Sequence, residues 1–152
     1  EQAFVGLLSV VYLSGIYSSA KIGALADQLG RRKVLWATIV LMIAGLALTM
    51  LTPLPVVIIG MLIFTFGFFG AHSVASSWIG RRAIKARGQA SSLYLFSYYA
   101  GSSIAGTAGG VAWHLGGWNG IGLFIGGLLV IALLVALKLA RLPLLPGSGS
   151  TT

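Results

Sequence analysis

Residues 34–80 read VLWATIVLMIAGLALTMLTPLPVVIIGMLIFTFGFFGAHSVASSWIG, without one Lys, Arg, Asp or Glu. The length of this run decides the class of protein. A bilayer core needs about 20 apolar residues per helical crossing, so the run holds two crossings, divided where Thr52-Pro53-Leu54-Pro55 removes backbone donors. A second uncharged run, Gln89 to Leu137, has room for two more, with Gly116-Gly117 as the interruption. A fifth apolar stretch covers residues 3 to 22. Over 152 residues, 57% are hydrophobic and 8% charged, about a third of the charge of a soluble domain. An ordinary water-soluble globule is excluded. No ten-residue alternation marks a strand, and an open sheet edge would leave amides unpaired in lipid, whereas a helix satisfies its own. The expected fold is therefore an all-α membrane protein with five transmembrane helices at about 3–22, 34–51, 55–79, 89–113 and 118–137. Residues 1–141 form the membrane part, and the Pro/Gly/Ser/Thr-rich residues 142–152 a flexible tail. The chain begins at Glu1 without an initiator Met, and its first apolar run lacks a basic leader and a cleavage site, so the run reads as a span of a fragment and not as a signal peptide.

Ten basic residues against two acidic ones give a net charge of +8. No basic residue interrupts an apolar run, so the partner this charge implies is anionic lipid and not nucleic acid. Lys21, Arg31, Arg32 and Lys33 lie between the first and second helices, Arg81, Arg82, Lys85 and Arg87 between the third and fourth, and Lys138 and Arg141 after the fifth. Five crossings bring all three clusters to one face, which the positive-inside rule makes cytoplasmic. The start of the chain is then outside and its end inside. Trp36 and Trp78 fall at the cytoplasmic boundary and Trp113 and Trp118 at the outer one, where amphipathic rings settle.

Polar residues divide the helices. The second and fifth are almost purely apolar and are expected to face lipid. The first, third and fourth carry Tyr12, Ser18 and Ser19, then Thr65, His72, Ser73 and Ser76, then Tyr94, Ser97, Tyr98 and Tyr99. Hydroxyls at this density seek other helices or water. On the fourth helix Ser91, Tyr94, Tyr98, Gly101, Ala105 and Gly109 recur at spacings of three or four and share a face, which suits either close helix packing or a solute-facing wall. His72 lies about 7 to 8 Å from the middle of the third helix at 1.5 Å per residue. An ionisable group at that depth is either a neutral imidazole bonded to a hydroxyl of the fourth helix, a solute contact, or a proton carrier. No Asp or Glu lies within a span. With no Cys, two separated His, no Ser–His pairing and no phosphate-cradling glycine loop, the sequence offers no catalytic residue, metal site or cofactor, and an enzyme is not expected.

One short segment is specific. Gly23-Ala24-Leu25-Ala26-Asp27-Gln28-Leu29-Gly30-Arg31-Arg32-Lys33 sits at the membrane edge. Gly23 and Gly30 permit a tight turn, and Asp27 stands four positions before Arg31, within pairing distance if the turn is helical. A basic loop with one solvated acid is the plain alternative. The segment resembles the G-x-L-A-D-x-x-G-R-[RK]-[RK] signature of the major facilitator superfamily, whose members are built as two halves of six helices. The third helix has no Arg before Arg81, Gly106-Thr107-Ala108-Gly109-Gly110 places Thr where the first-half pattern has proline, and the end is a tail instead of a basic central loop. These departures favour the C-terminal half, helices eight to twelve. Residues 71–78 with Tyr94, Tyr98, Tyr99 and Gly101 look like bacterial efflux members. The resemblance implies a fragment of a secondary active transporter in a bacterial inner membrane, moving a small-molecule solute by alternating access, with proton-coupled efflux as the narrower form and the missing N-terminal half as its partner. It also implies that Tyr12, His72, Tyr94 and Tyr98 line the cavity, and that Gly23, Asp27, Gly30, Arg31 and Arg32 form a conformational latch, with Asp27's partner in the other half. A non-transporting membrane scaffold or receptor module is the rival reading.

Overall fold

The computed structural model describes residues 2–83 and 85–141; the tail expected at 142–152 lies outside the described residues. They form four helices, α1 (Gln2–Leu29), α2 (Arg31–Thr49), α3 (Leu54–Arg82) and α4 (Arg87–Arg141), with no strand among the described residues. Three of them, α2, α3 and α4, are long and apolar enough to cross a membrane.

α4 is not one rod. Its helical geometry fails at Gly116 and at Gly117, where φ is +54°. Phe124 and Ile121 approach Gly109, the Gly120 Cα lies against the Ala112 carbonyl, and Trp113 meets Trp118 edge to face at 6.3 Å. These pairs close inward on the break, so residues 87–115 and 118–141 are antiparallel limbs of a hairpin, each longer than about 20 residues. The break falls at the Gly116-Gly117 interruption that divides the fourth and fifth expected helices.

The remaining contacts fix direction. α1 runs parallel to α3, since Ser18 donates to the Phe66 carbonyl, Ile22 meets Gly70 and Arg81 reaches Asp27. α2 runs antiparallel to α3, with Gly45 against Gly60 and Phe64 at one level and Thr38 and Met42 against Gly67 at another. The second limb of α4 runs antiparallel to α2. Trp118 Nε1 donates to the Thr49 carbonyl at 2.8 Å, Leu46 meets Gly126, and Leu129 and Ala136 join Ile39 and Met42 in the largest core cluster. Five rods thus alternate in direction. The three basic clusters share one end of the bundle, and the neutral turns at Met50–Leu54 and Gly116-Gly117 share the other.

Two sequence expectations change. The first helix continues seven residues beyond residue 22, to Leu29. Gly23 therefore sits inside α1 and not at a turn, with Ser73 Oγ 3.4 Å from where its Cβ would be. Only Gly30 separates α1 from α2, at φ 91° and ψ 131°, a region essentially restricted to glycine. Its N–H donates to the Ala26 carbonyl and its own carbonyl accepts from Val34, so the break leaves few amides unpaired. The second difference concerns α2, expected to face lipid. Val34, Thr38, Ile39, Met42, Gly45 and Thr49 are all buried, because its apolar face lies between α3 and the second limb of α4. An apolar stripe suits a lipid tail and a neighbouring helix equally, so composition alone does not separate the two. The second limb does expose Leu123, Val130, Ile131, Leu134 and Val135, as expected.

Candidate functional site

α1 and α4 pack against α3 on either side and do not contact each other among the described residues. The surface of α3 between them is the candidate cleft. Thr65, Phe69, His72 and Ser76 recur on α3 at spacings of four, three and four, which places them on one face of the helix.

Aromatic rings run across this cleft from wall to wall. Tyr12 of α1 meets Phe69 edge to face at 6.0 Å, Phe69 meets Phe68 at 5.5 Å, and Phe68 stacks on the His72 imidazole at 6.3 Å. His72 in turn lies 5.5 Å from the Tyr94 ring and 4.8 Å from Tyr98, which contacts Tyr99 at 5.3 Å. These separations lie in the range at which ring quadrupoles attract in offset or edge-to-face geometry. The Tyr94 hydroxyl lies 2.8 Å from His72 Nδ1. When the hydroxyl donates to Nδ1, the proton of the neutral ring resides on Nε2, which makes no hydrogen bond to the described residues.

The four cavity candidates thus belong to one row, with Tyr94 and Tyr98 each against His72 and Tyr12 joined to them through Phe69 and Phe68. Those two phenylalanines escaped the sequence reading, because an apolar ring in an apolar helix carries no signal of its own. Their adjacency three and four residues before His72 was the available hint.

Packing and cleft separate along the hydroxyls. Ser18 and Ser73 bond across the α1/α3 seam, Ser73 to the Ser19 carbonyl at 3.1 Å, and Gly15 admits the Phe69 ring. On the first limb of α4, by contrast, no side chain or neighbouring backbone lies within 4 Å of a Cβ built on Gly101, Gly106 or Gly110, and Tyr99, Ser102 and Ser103 are exposed.

At the basic end, Asp27 Oδ1 accepts from Arg31 and, at 3.4 Å, from Arg81 Nη2. The expected i, i+4 pair forms because α1 stays helical up to Gly30. A second cation comes from the end of α3 in this same chain. Arg31 Nε approaches Ser77 Oγ at 3.5 Å, and the Arg32 and Arg82 guanidiniums lie 6.0 and 5.7 Å from the Trp78 ring centroid. The α1–α2 corner is tied to the end of α3 through these contacts. Of the expected latch residues, Asp27, Arg31 and Arg32 are in it, Gly30 supplies the break and Gly23 stands apart. Asp27 is half exposed and Arg81 more so, so solvent screens their attraction. A separate cavity of about 220 Å³, lined by Leu46, Met50, Phe64, Trp118 and Ile125 among others, holds no ionisable side chain. No three metal-ligating side chains converge among the described residues.

Comparison with known proteins places this geometry in a family. The chain is 59% identical over 141 residues to the inner membrane transport protein YnfM of Escherichia coli K12, covering 93% of this chain and 34% of that protein. It is 49% identical over 137 residues to an uncharacterized transporter of Buchnera aphidicola from Schizaphis graminum, covering 90% of this chain and 33% of the relative. It is 48% identical over 141 residues to the uncharacterized MFS-type transporter YybF of Bacillus subtilis, covering 93% and 35%. The chain spans about a third of the length of these relatives. No solved structure matches it. The profile of the Major Facilitator Superfamily matches residues 2–151, and the chain belongs to that superfamily.

Proposed function

We propose that these residues are helices eight to twelve of a secondary active transporter, which with its N-terminal half moves a small solute across the bacterial inner membrane by alternating access. The observation that carries this reading is the cleft. Helical proteins bury polar and ionisable groups in a bilayer only where they face protein or water; His72 of α3 meets Tyr94 and Tyr98 of α4, while α1, on the other flank of α3, makes no contact with α4 among the described residues. The absence of an Arg before Arg81 in α3 and Thr107 in the glycine element support the C-terminal assignment. The E. coli relative, described as an inner membrane transport protein, supports the membrane and the transport.

In this reading the two halves rock about the cleft. Asp27 with Arg31 and Arg81 holds the basic end in one of the two states, and that end is cytoplasmic. Transport is outward and proton-coupled, with His72 as the proton-carrying group of this half, since no Asp or Glu lies within a span.

The test places single cysteines at Tyr98 and Leu129 in the full-length transporter, with any other cysteine replaced by Ser, and labels them with a water-soluble maleimide. Tyr98 flanks the cleft and Leu129 is packed against α2. Labelling at position 98 that changes with added solute supports the cavity; equal inertness at both positions favours a scaffold whose polar helices merely pack. For proton coupling, reconstituted His72→Gln should lose uptake driven by an imposed pH gradient while retaining counterflow. An unchanged response to the gradient removes the proton from His72.

A further inference from the structure

We infer that an acidic phospholipid of the leaflet at the basic end binds in the corner between α1 and α2, with its phosphate against Lys33 and an acyl chain along the apolar wall beyond. The site does not depend on the cleft or on the solute. The corner holds a cavity of about 330 Å³, to which α1 contributes Ile22, Leu25 and Leu29, and α2 contributes Lys33, Ala37 and Leu41. Both helices lead away from Gly30. At 1.5 Å per residue, Ile22 lies about 12 Å and Leu41 about 16 Å from it, close to half of a bilayer core of about 30 Å. A cavity confined to one leaflet fits a lipid, whereas a partner's spanning helix would need a groove through both.

The wall asks for hydrocarbon. Behind it Ala26, Val34 and Val74 form a buried cluster on which Ile22 packs, so the cavity is backed by closed packing. Its one hydroxyl, Thr38, is buried and donates to the Leu35 carbonyl at 2.8 Å. Leu25 and Leu29 are exposed on the part of α1 that continues beyond residue 22. That segment turns Asp27 to Arg31 and Arg81 and its leucines to the cavity, and an acyl chain is the cover that keeps such leucines from water. A free anion would have no use for them.

The polar end asks for a phosphate. The side-chain donors of the wall are the Lys33 ammonium and the Trp36 indole, both within the first two turns of α2, where an interfacial ring and a snorkelling lysine meet headgroups. Asp27, the one carboxylate among the described residues, accepts from Arg31 and Arg81 and leaves the charge of Lys33 to the lipid. A zwitterionic headgroup carries its own cation beside its phosphate, so the excess positive charge selects an acidic one.

The experiment presents the purified, delipidated full-length transporter with equimolar phosphatidylglycerol and phosphatidylcholine of the same acyl chains. Native mass spectrometry identifies the last lipid to leave as collision energy rises. Phosphatidylglycerol should be retained about fivefold over phosphatidylcholine, the share of one lysine at a membrane surface. Lys33→Gln should abolish that preference, whereas Lys85→Gln, which removes the same charge from the basic end outside the cavity, should keep it. Ala37→Trp, which fills the cavity, and Leu29→Gln, which makes its exposed wall polar, should each lower retention of both lipids severalfold; the second serves alone where the first does not fold. Equal retention of the two lipids by the unaltered protein overturns the acidic class. Equal losses with Lys33→Gln and Lys85→Gln reduce the effect to diffuse charge and overturn the site. Retention indifferent to Leu29→Gln, or a second protein chain held in place of lipid and released by that substitution, overturns the acyl chain as occupant.

Discussion

A Cβ on Gly45 would lie 2.6 Å from the Phe64 amide nitrogen and 2.8 Å from the Gly60 carbonyl oxygen, and neither backbone atom can swing aside. Gly45→Ala should therefore push α2 and α3 apart at a cost of about 1–3 kcal/mol, read as a lower melting temperature of the membrane-embedded protein. Gly127 is the control. A Cβ there meets nothing within 4 Å, so Gly127→Ala should leave stability unchanged or raise it by up to about 1 kcal/mol through helix propensity. At the basic end, Asp27→Asn removes the negative charge that faces two guanidiniums and that solvent already screens. Stability should change by less than about 1 kcal/mol, while transport by the full-length protein falls severalfold; unaltered flux would separate Asp27 from the latch. Residues were unevenly legible at this scale. The Asp27–Arg31 pair follows from a spacing of four on a helix. Arg81 does not, because it comes from 54 residues away and any of ten cations could have filled its place. The contact of Tyr94 with His72 was foreseeable as a hydroxyl of the fourth helix meeting an imidazole of the third, though not which hydroxyl.

Helix breaks depend on two glycines with different demands. Gly117 sits at φ +54° and ψ −139°, while Gly116 at φ −148° and ψ 15° stays at negative φ. Gly117→Ala should cost about 1–3 kcal/mol through strain, and Gly116→Ala less than about 1 kcal/mol, measured as the difference between their unfolding midpoints in denaturing detergent. Equal midpoints would mean that the hairpin takes its shape from packing alone. Both breaks were legible, since Pro53 and Pro55 or a glycine pair interrupting an apolar run leaves few alternatives. The end of α1 was not. Lys21, Gly23 and Asp27 look like loop residues when hydrocarbon thickness is the only ruler, yet a helix is free to run past the lipid edge with charged groups in water, and α1 does so up to Gly30.

Across the whole molecule, alternation of five rods is what sorts the charge. Every Lys and Arg belongs to one end, whereas the turns at Met50–Leu54 and Gly116-Gly117 carry none. A reporter fused after Pro53 should accordingly be active as alkaline phosphatase and dark as a cytoplasmic fluorescent protein; the reverse pattern would invert the bundle. The interruptions of the apolar runs and the gathering of the charge at one end were legible because apolar length and charge spacing are properties of the linear sequence. The partners of α2 were not, because a hydrocarbon tail and a leucine side chain solvate an apolar face alike. There remains the gap between α1 and α4. α1 and α4 are joined through α3 and α2, each of which contacts both, and not directly to each other. A guest touching both of them acts as a brace. Occupancy at a hundred times the dissociation constant should then stiffen the bundle by about 2.7 kcal/mol, visible as slower amide exchange in α1 and α4 together, with the vacant transporter the softer of the two.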